Sequence, residues 1–214
     1  MSAESVIDRL LMIHHQELGR SDSMRSPLGS NNVKYNTWYY GNKKVSGPKF
    51  MWCAVYQSWV NAMAGVPMDI YPKAAGVVQV RDFFKERGRI FQKPKVGDYV
   101  IFIFNADEHH IGFVEKLEGG GQFSSLEGNL SNRVKRDRHR EGDRGIVGYA
   151  RPEYDKVEDD MTKDELIDVL RSGFTPGDQI TTVNEWAAQL NEVKRDVDEI
   201  KQMLKQMQHQ PGSG

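Results

Sequence analysis

Cys53 is the only cysteine in a chain of 214 residues, and it stands in the run Phe50-Met51-Trp52-Cys53-Ala54-Val55-Tyr56. With no second cysteine it forms no intramolecular disulfide, so it is either an inert core thiol or a reactive one. A sulfur at the first turn of a helix meets unpaired N–H groups and the positive end of the macrodipole, which favour thiolate over thiol. A nucleophilic sulfur also needs a base to take its proton and a third group to orient that base. His110 and Glu127 are spaced to supply both. His110 opens the segment His110-Ile111-Gly112-Phe113-Val114 after a short loop, and Glu127 closes the next segment in Leu126-Glu127-Gly128-Asn129. Two strands joined by a tight turn can set His110 beside Glu127, with Gly112 leaving room on the same strand face.

The elements that must position these groups follow from periodicity. Trp52, Val55, Tyr56, Trp59, Val60 and Met63 recur at helical spacing, and Gly65 stops the helix. Gly47-Pro48 ends what precedes it, in a loop-rich stretch holding the aromatics Tyr35, Trp38, Tyr39 and Tyr40. A short helix is expected near Val78 to Arg87. From Val96 the pattern turns to strands: Tyr99–Phe104, Ile111–Leu117, Phe123–Leu126 and Ile146–Ala150. Helices first and an antiparallel meander second is an α+β pattern. Val6, Leu10 and Ile13 make the first helix amphipathic, with His14-His15 expected on its solvent side. The basic stretch Arg133, Lys135, Arg136, Arg138, Arg140 and Arg144 is expected as a solvated loop, its alternative being a patch for an anionic polymer.

Residues 1–155 carry 22 Lys+Arg against 18 Asp+Glu, and residues 156–214 carry 7 against 12. A mildly basic front and an acidic tail suggest two functional segments. Acidic residues interleaved with the basic stretch argue against nucleic acid. The N-terminus is an amphipathic helix and not a signal peptide, and no run reaches the length of a transmembrane span, so synthesis in the cytoplasm is expected without membrane insertion.

Past Pro152 the texture becomes charged, with a short helix expected over Met161–Leu170 and a linker over Ser172–Asp178. Val183, Trp186, Leu190, Val193, Val197, Ile200, Leu204 and Met207 then step by alternating threes and fours, an a/d seam. Leucines at a with β-branched residues at d favour a trimer or tetramer over a dimer. The expected domains are 1–154, a catalytic unit; 155–180, an acidic linker; 181–209, a coiled-coil oligomerisation helix; and 210–214, a flexible tail.

Tyr35-Asn36-Thr37-Trp38-Tyr39-Tyr40-Gly41, Trp52-Cys53-Ala54 with Ser58-Trp59-Val60, Gly97-Asp98, His110-Ile111-Gly112-Phe113-Val114-Glu115, Leu126-Glu127-Gly128-Asn129 and Gly148-Tyr149-Ala150-Arg151-Pro152 occur in that order. In these motifs residues 4 to 154 resemble the CHAP domains, the cysteine, histidine-dependent amidohydrolases/peptidases of bacteriophage lysins and bacterial wall hydrolases. The resemblance implies a papain-like α+β fold and cleavage of amide bonds in peptidoglycan. It implies Cys53 as nucleophile, His110 as general base and then acid, Glu127 as the group orienting the imidazole, and Asn129 as a supporting polar residue. His109 competes as base, but the His-x-Gly spacing of the family selects His110. Some such lysins hold calcium before the cysteine. Here no carboxylate lies between Asp22 and Cys53, so no metal or cofactor is expected.

Trp38, Tyr39 and Trp52, flanking the cysteine, are candidates to wall a substrate groove, their alternative being core packing. The function expected is an endolysin-type hydrolase, made in the host cytoplasm and acting at the wall after release. It would cut as an N-acetylmuramoyl-L-alanine amidase or as a peptide endopeptidase. A non-catalytic coiled-coil wall-binding phage protein and a cysteine protease on protein substrates stand as alternatives.

Overall fold

A computed structural model describes residues 3–20, 31–41 and 45–157. The expected linker helix over 161–170 and the coiled coil over 181–209 lie outside these residues. The described chain is α+β. Four helices, α1 (Ala3–Glu17), α2 (Lys34–Tyr39), α3 (Cys53–Met63) and α4 (Val77–Glu86), precede six strands: β1 (Ile90–Phe91), β2 (Tyr99–Ile103), β3 (His109–Gly119), β4 (Gln122–Glu127), β5 (Lys135–Arg140) and β6 (Ile146–Ala150). All pair antiparallel in one sheet, in the order β1-β6-β2-β3-β4-β5. The β2–β3 and β3–β4 pairs follow chain order because short turns leave antiparallel pairing as the local solution. β6 must return across the sheet to reach β2, which leaves β5 as an edge.

Helix α3 is buried from Cys53 through Asn61 and ends in a left-handed Gly65 at φ +69. The Val66 N–H closes on the Asn61 carbonyl at 2.9 Å, satisfying an orphan acceptor of the last turn. Its flank is tied to the sheet by polar side chains as well as apolar ones. Gln57 donates to the Leu126 carbonyl at 3.0 Å, and Asn61 donates to the Tyr99 hydroxyl at 2.6 Å. At Gly128 a Cβ would stand 2.5 Å from Tyr56 Cβ, so only glycine lets the end of β4 approach the first turns of α3 this closely. On the sheet Val100, Phe102, Val114, Phe123 and Tyr149 form an apolar cluster of their own.

Asp98 and Arg151 pair in a two-pronged ion pair at 2.7 Å, which pins the start of β2 to the end of β6. Packing continues past the expected boundary at 154. A short 3-10 turn spans Tyr154–Lys156, Tyr154 donates to the Gly97 carbonyl at 3.0 Å, and Val157 is buried.

Two expectations are corrected. The basic stretch is not a loop: Lys135–Arg140 is strand β5, with residues alternately half-buried and exposed. Cross-strand pairing to β4 supplies the ordering that its charged residues, with no apolar face, did not advertise. His14 is not on the solvent side of α1. It is fully buried, stacks on Phe113 at 4.8 Å, and its Nδ1 lies 2.9 Å from the Tyr56 hydroxyl. Burial holds its pKa down at about 3, with the neighbouring His15 charge adding to the effect, so it is a neutral core imidazole.

Candidate active site

Three elements bring their ends together. Cys53 is the first residue of α3, and the N-cap, Trp52, makes no side-chain cap. The first N–H groups of α3 therefore have neither an intrahelical acceptor nor a capping oxygen. His110, on β3, hydrogen-bonds Glu127, and its ring also interacts with the Cys53 sulfur, which raises its pKa. Its Nε2 lies 2.7 Å from Glu127 Oε2, which leaves Nδ1 as the ring nitrogen for the sulfur. Glu127, at the end of β4, is 1 % exposed. Its side chain occupies the space above Gly112, where a Cβ would stand 2.7 Å from Glu127 Cγ. The room expected at Gly112 is thus filled by the carboxylate that orients His110.

Electrostatics link the three. Burial alone would lower the His110 pKa, but hydrogen bonds and charge from Cys53 and Glu127 outweigh it and push the imidazole up to about 10. Burial would likewise raise the Glu127 pKa. Hydrogen bonds from His110, His139 and Ser125 override it and hold the carboxyl at about 2. An ionised carboxylate only accepts, so both imidazoles must present a protonated Nε2 to it. His110 with a proton on Nε2 has Nδ1 free to receive the thiol proton. This set can hold an imidazolium beside the sulfur.

His139 was not foreseen from the sequence. It projects from β5, its Nε2 lies 2.8 Å from Glu127 Oε1, and its ring lies 4.9 Å from Phe102 and 5.4 Å from Phe123. A signal existed in the alternation Lys135, Asp137, His139, which places these three on one face of a strand. Glu127, Asp137 and His139 offer donor atoms within 4.8 Å of one another, a set whose chemistry suits a divalent transition metal. The two Glu127 oxygens are already engaged by His110, His139 and Ser125.

Asn129 stands apart from this hydrogen-bonded group. It lies in a left-handed conformation at φ 62, and its amide meets the Met51 sulfur at 3.7 Å. That contact joins the segment before Cys53 to the segment after Glu127, so Asn129 belongs to the rim. Trp52 is corrected as a groove wall: it is 0 % exposed and stacks on Tyr35 at 5.3 Å, as core beneath the helix start. Trp38 and Tyr39 are half-buried on α2 and meet edge to face at 6.4 Å, with the Lys73 ammonium 4.5 Å from the Trp38 ring. They remain able to meet a ligand.

No protein-family model matches this chain, and it has no significant match among curated proteins or solved structures.

Proposed function

We propose that the chain is a cysteine-dependent peptidoglycan hydrolase of the CHAP type. It cleaves amide bonds of the cell-wall stem peptide, as an N-acetylmuramoyl-L-alanine amidase or as a peptide endopeptidase. What supports this reading is the hydrogen bond of His110 to the buried Glu127 carboxylate, together with the interaction of the same ring with the sulfur of Cys53 at the start of α3. The thiol proton passes to His110 Nδ1, and the thiolate attacks the amide carbonyl carbon. The carbonyl electron pair moves onto oxygen, where the uncapped N–H groups at the start of α3 stabilise it. The intermediate collapses, the C–N bond breaks, and the leaving nitrogen takes the proton from His110. His110 then removes a proton from water, the hydroxide attacks the thioester carbon, the C–S bond breaks, and the sulfur takes the proton back from His110 as the carboxylic acid departs. Glu127 holds the Nε2 proton and balances the imidazolium, and Trp38 and Tyr39 flank the bound glycan or peptide.

The protein is of the phage endolysin type in this reading, made in the host cytoplasm and acting on the wall after release. No helix among the described residues is long and apolar enough to cross a membrane. Residues 181–209 gather several heads into a trimer or tetramer, and multivalency prolongs residence on a polymeric surface. The test is turbidity loss of purified walls against hydrolysis of casein. Walls cleared by the wild type and untouched by C53A support the reading. Casein hydrolysis with inert walls makes the protein a protease on proteins, and clearing by C53A makes the thiol irrelevant.

A further inference from the structure

With Cys53, His110 and Glu127 taken as the catalytic set, we infer that His139 is a positioning residue that fixes one oxygen of Glu127 so that the other stays aimed at His110. The two carboxylate oxygens are divided between the imidazoles: Oε2 meets His110 Nε2 at 2.7 Å and Oε1 meets His139 Nε2 at 2.8 Å. Ser125 donates to the same Oε1. The terminal torsion of a carboxylate is broad and weakly restrained, and Ser125, two residues back on the same strand, holds Oε1 from one side only; His139 adds a second donor from the neighbouring strand. With both donors on Oε1, the carboxylate presents Oε2 along one line.

His139 is itself fixed. Its side chain is 14 % exposed and lodges against Phe102 from β2 and Phe123 from β4. An imidazole placed among phenyl rings at a sheet edge must be hydrogen-bonded to offset its burial, and Glu127 is the partner the structure gives it. The ionisable groups facing Glu127 and His139 are Cys53 through His110 from α3 and β3, and Asp137 from β5. Glu118, Arg138, Arg140 and Asp143 share with His139 the walls of a cavity of about 280 Å³.

The test uses the full chain carrying H139L, H139Q or H139N. Glutamine reaches the depth of Nε2 with an N–H donor; asparagine is too short, and leucine keeps only the packing. Two readouts are taken: kcat and KM on purified walls, and the rate of Cys53 alkylation by iodoacetamide against pH, which needs no wall substrate. H139L and H139N are expected to lower kcat by about 10- to 100-fold, the scale of one hydrogen bond to a charged group. KM stays unchanged, and the acid edge of alkylation moves to higher pH because the imidazolium beside the sulfur is less supported. H139Q restores both. If H139L does not fold, the difference between H139Q and H139N decides.

Wild-type values of kcat and alkylation profile in folded H139L and H139N would overturn the inference and leave the wall-hydrolase reading standing. Shifted alkylation with inert walls in every form, wild type included, would keep the inference and remove that reading. Wild-type activity lost in a chelator and regained with zinc alone would make His139 a metal ligand with Glu127 and Asp137, and so overturn it.

Discussion

Two carboxylates on adjoining strands are held by the same number of side chains and differ in what holds them. Glu115 on β3 receives Arg136 through two nitrogens at 2.6 Å, His15 at 2.7 Å and Ser124 at 3.1 Å. Glu127 on β4 receives His110, His139 and Ser125. Consecutive serines, alternating across β4, thus serve the two carboxylates. Burial would raise the pKa of each, and the surrounding donors instead hold both at about 2. Arginine never gives up its proton, so Glu115 is bound to a fixed charge at the surface and acts as a brace. Glu127 has no such fixed charge beside it and is held by two imidazoles, groups able both to give and to take a proton, so it is wired to a group that can do chemistry. What separates the two is therefore the arginine, present at Glu115 and replaced by a second imidazole at Glu127, more than the depth of the carboxylate.

E127Q tests this contrast with the largest effect. An amide cannot accept from two Nε2–H groups as a carboxylate does, and one imidazole must turn or change tautomer. Loss of the analogous orienting carboxylate in a triad costs about 10⁴-fold in kcat, and a fall of that order in single-turnover wall cleavage is expected here.

The same wiring sets a pH window. His110, raised from its ordinary 6.5 to about 10, adds stability that is fully present below 6.5 and is lost as pH rises through about 10. Glu127, lowered from 4.5 to about 2, adds stability present above 4.5 and lost as pH falls towards 2. Amide cleavage needs the imidazolium to protonate the leaving nitrogen, so it should fall as pH rises through about 10. Cys53 alkylation, which needs only the thiolate, should persist there. Parallel loss of both would show that the alkaline limb is unfolding.

G112A should act at a smaller scale. Its Cβ would stand 2.7 Å from Glu127 Cγ and 3.1 Å from Oε1, so the carboxylate must yield. Overpacking of this kind costs about 1–3 kcal/mol, to be read by chemical denaturation, together with a kcat loss below that of E127Q. The smallest effect is expected from E115Q. The Arg136 side chain is 48 % exposed, so solvent screens the pair. Removing it should cost about 1 kcal/mol or less and leave kcat within about twofold.

Much of the α+β frame was legible because its elements carry strong periodicity. The α3 stripe from Trp52 to Met63 and the apolar run of β2 have no rival interpretation, whereas the spacing of His110, Gly112 and Glu127 was a weak signal by itself and stood out only through the ordered motifs of the family resemblance. Strand β5 was not legible: Lys-Arg-Asp-Arg-His-Arg has no apolar alternation, and its order comes from pairing with β4. His139 was missed with it. His14 was misread because two adjacent histidines beside charged residues suggest a wet face. Yet it lies four residues after Leu10 and eight after Val6, on the buried stripe of α1. Trp52 belongs to the same lesson, since a large aromatic next to a nucleophile fits a groove wall and a core equally well until its burial is known.

The most direct test of the central claim is mass spectrometry of purified walls digested with the full chain, reading newly exposed amine termini in the wild type and in C53A. One new kind of terminus from the wild type, at stem-peptide or muramoyl amides, and none from C53A, is the predicted result. Walls left with no new amine termini by the wild type, or the same termini produced by C53A, would contradict it.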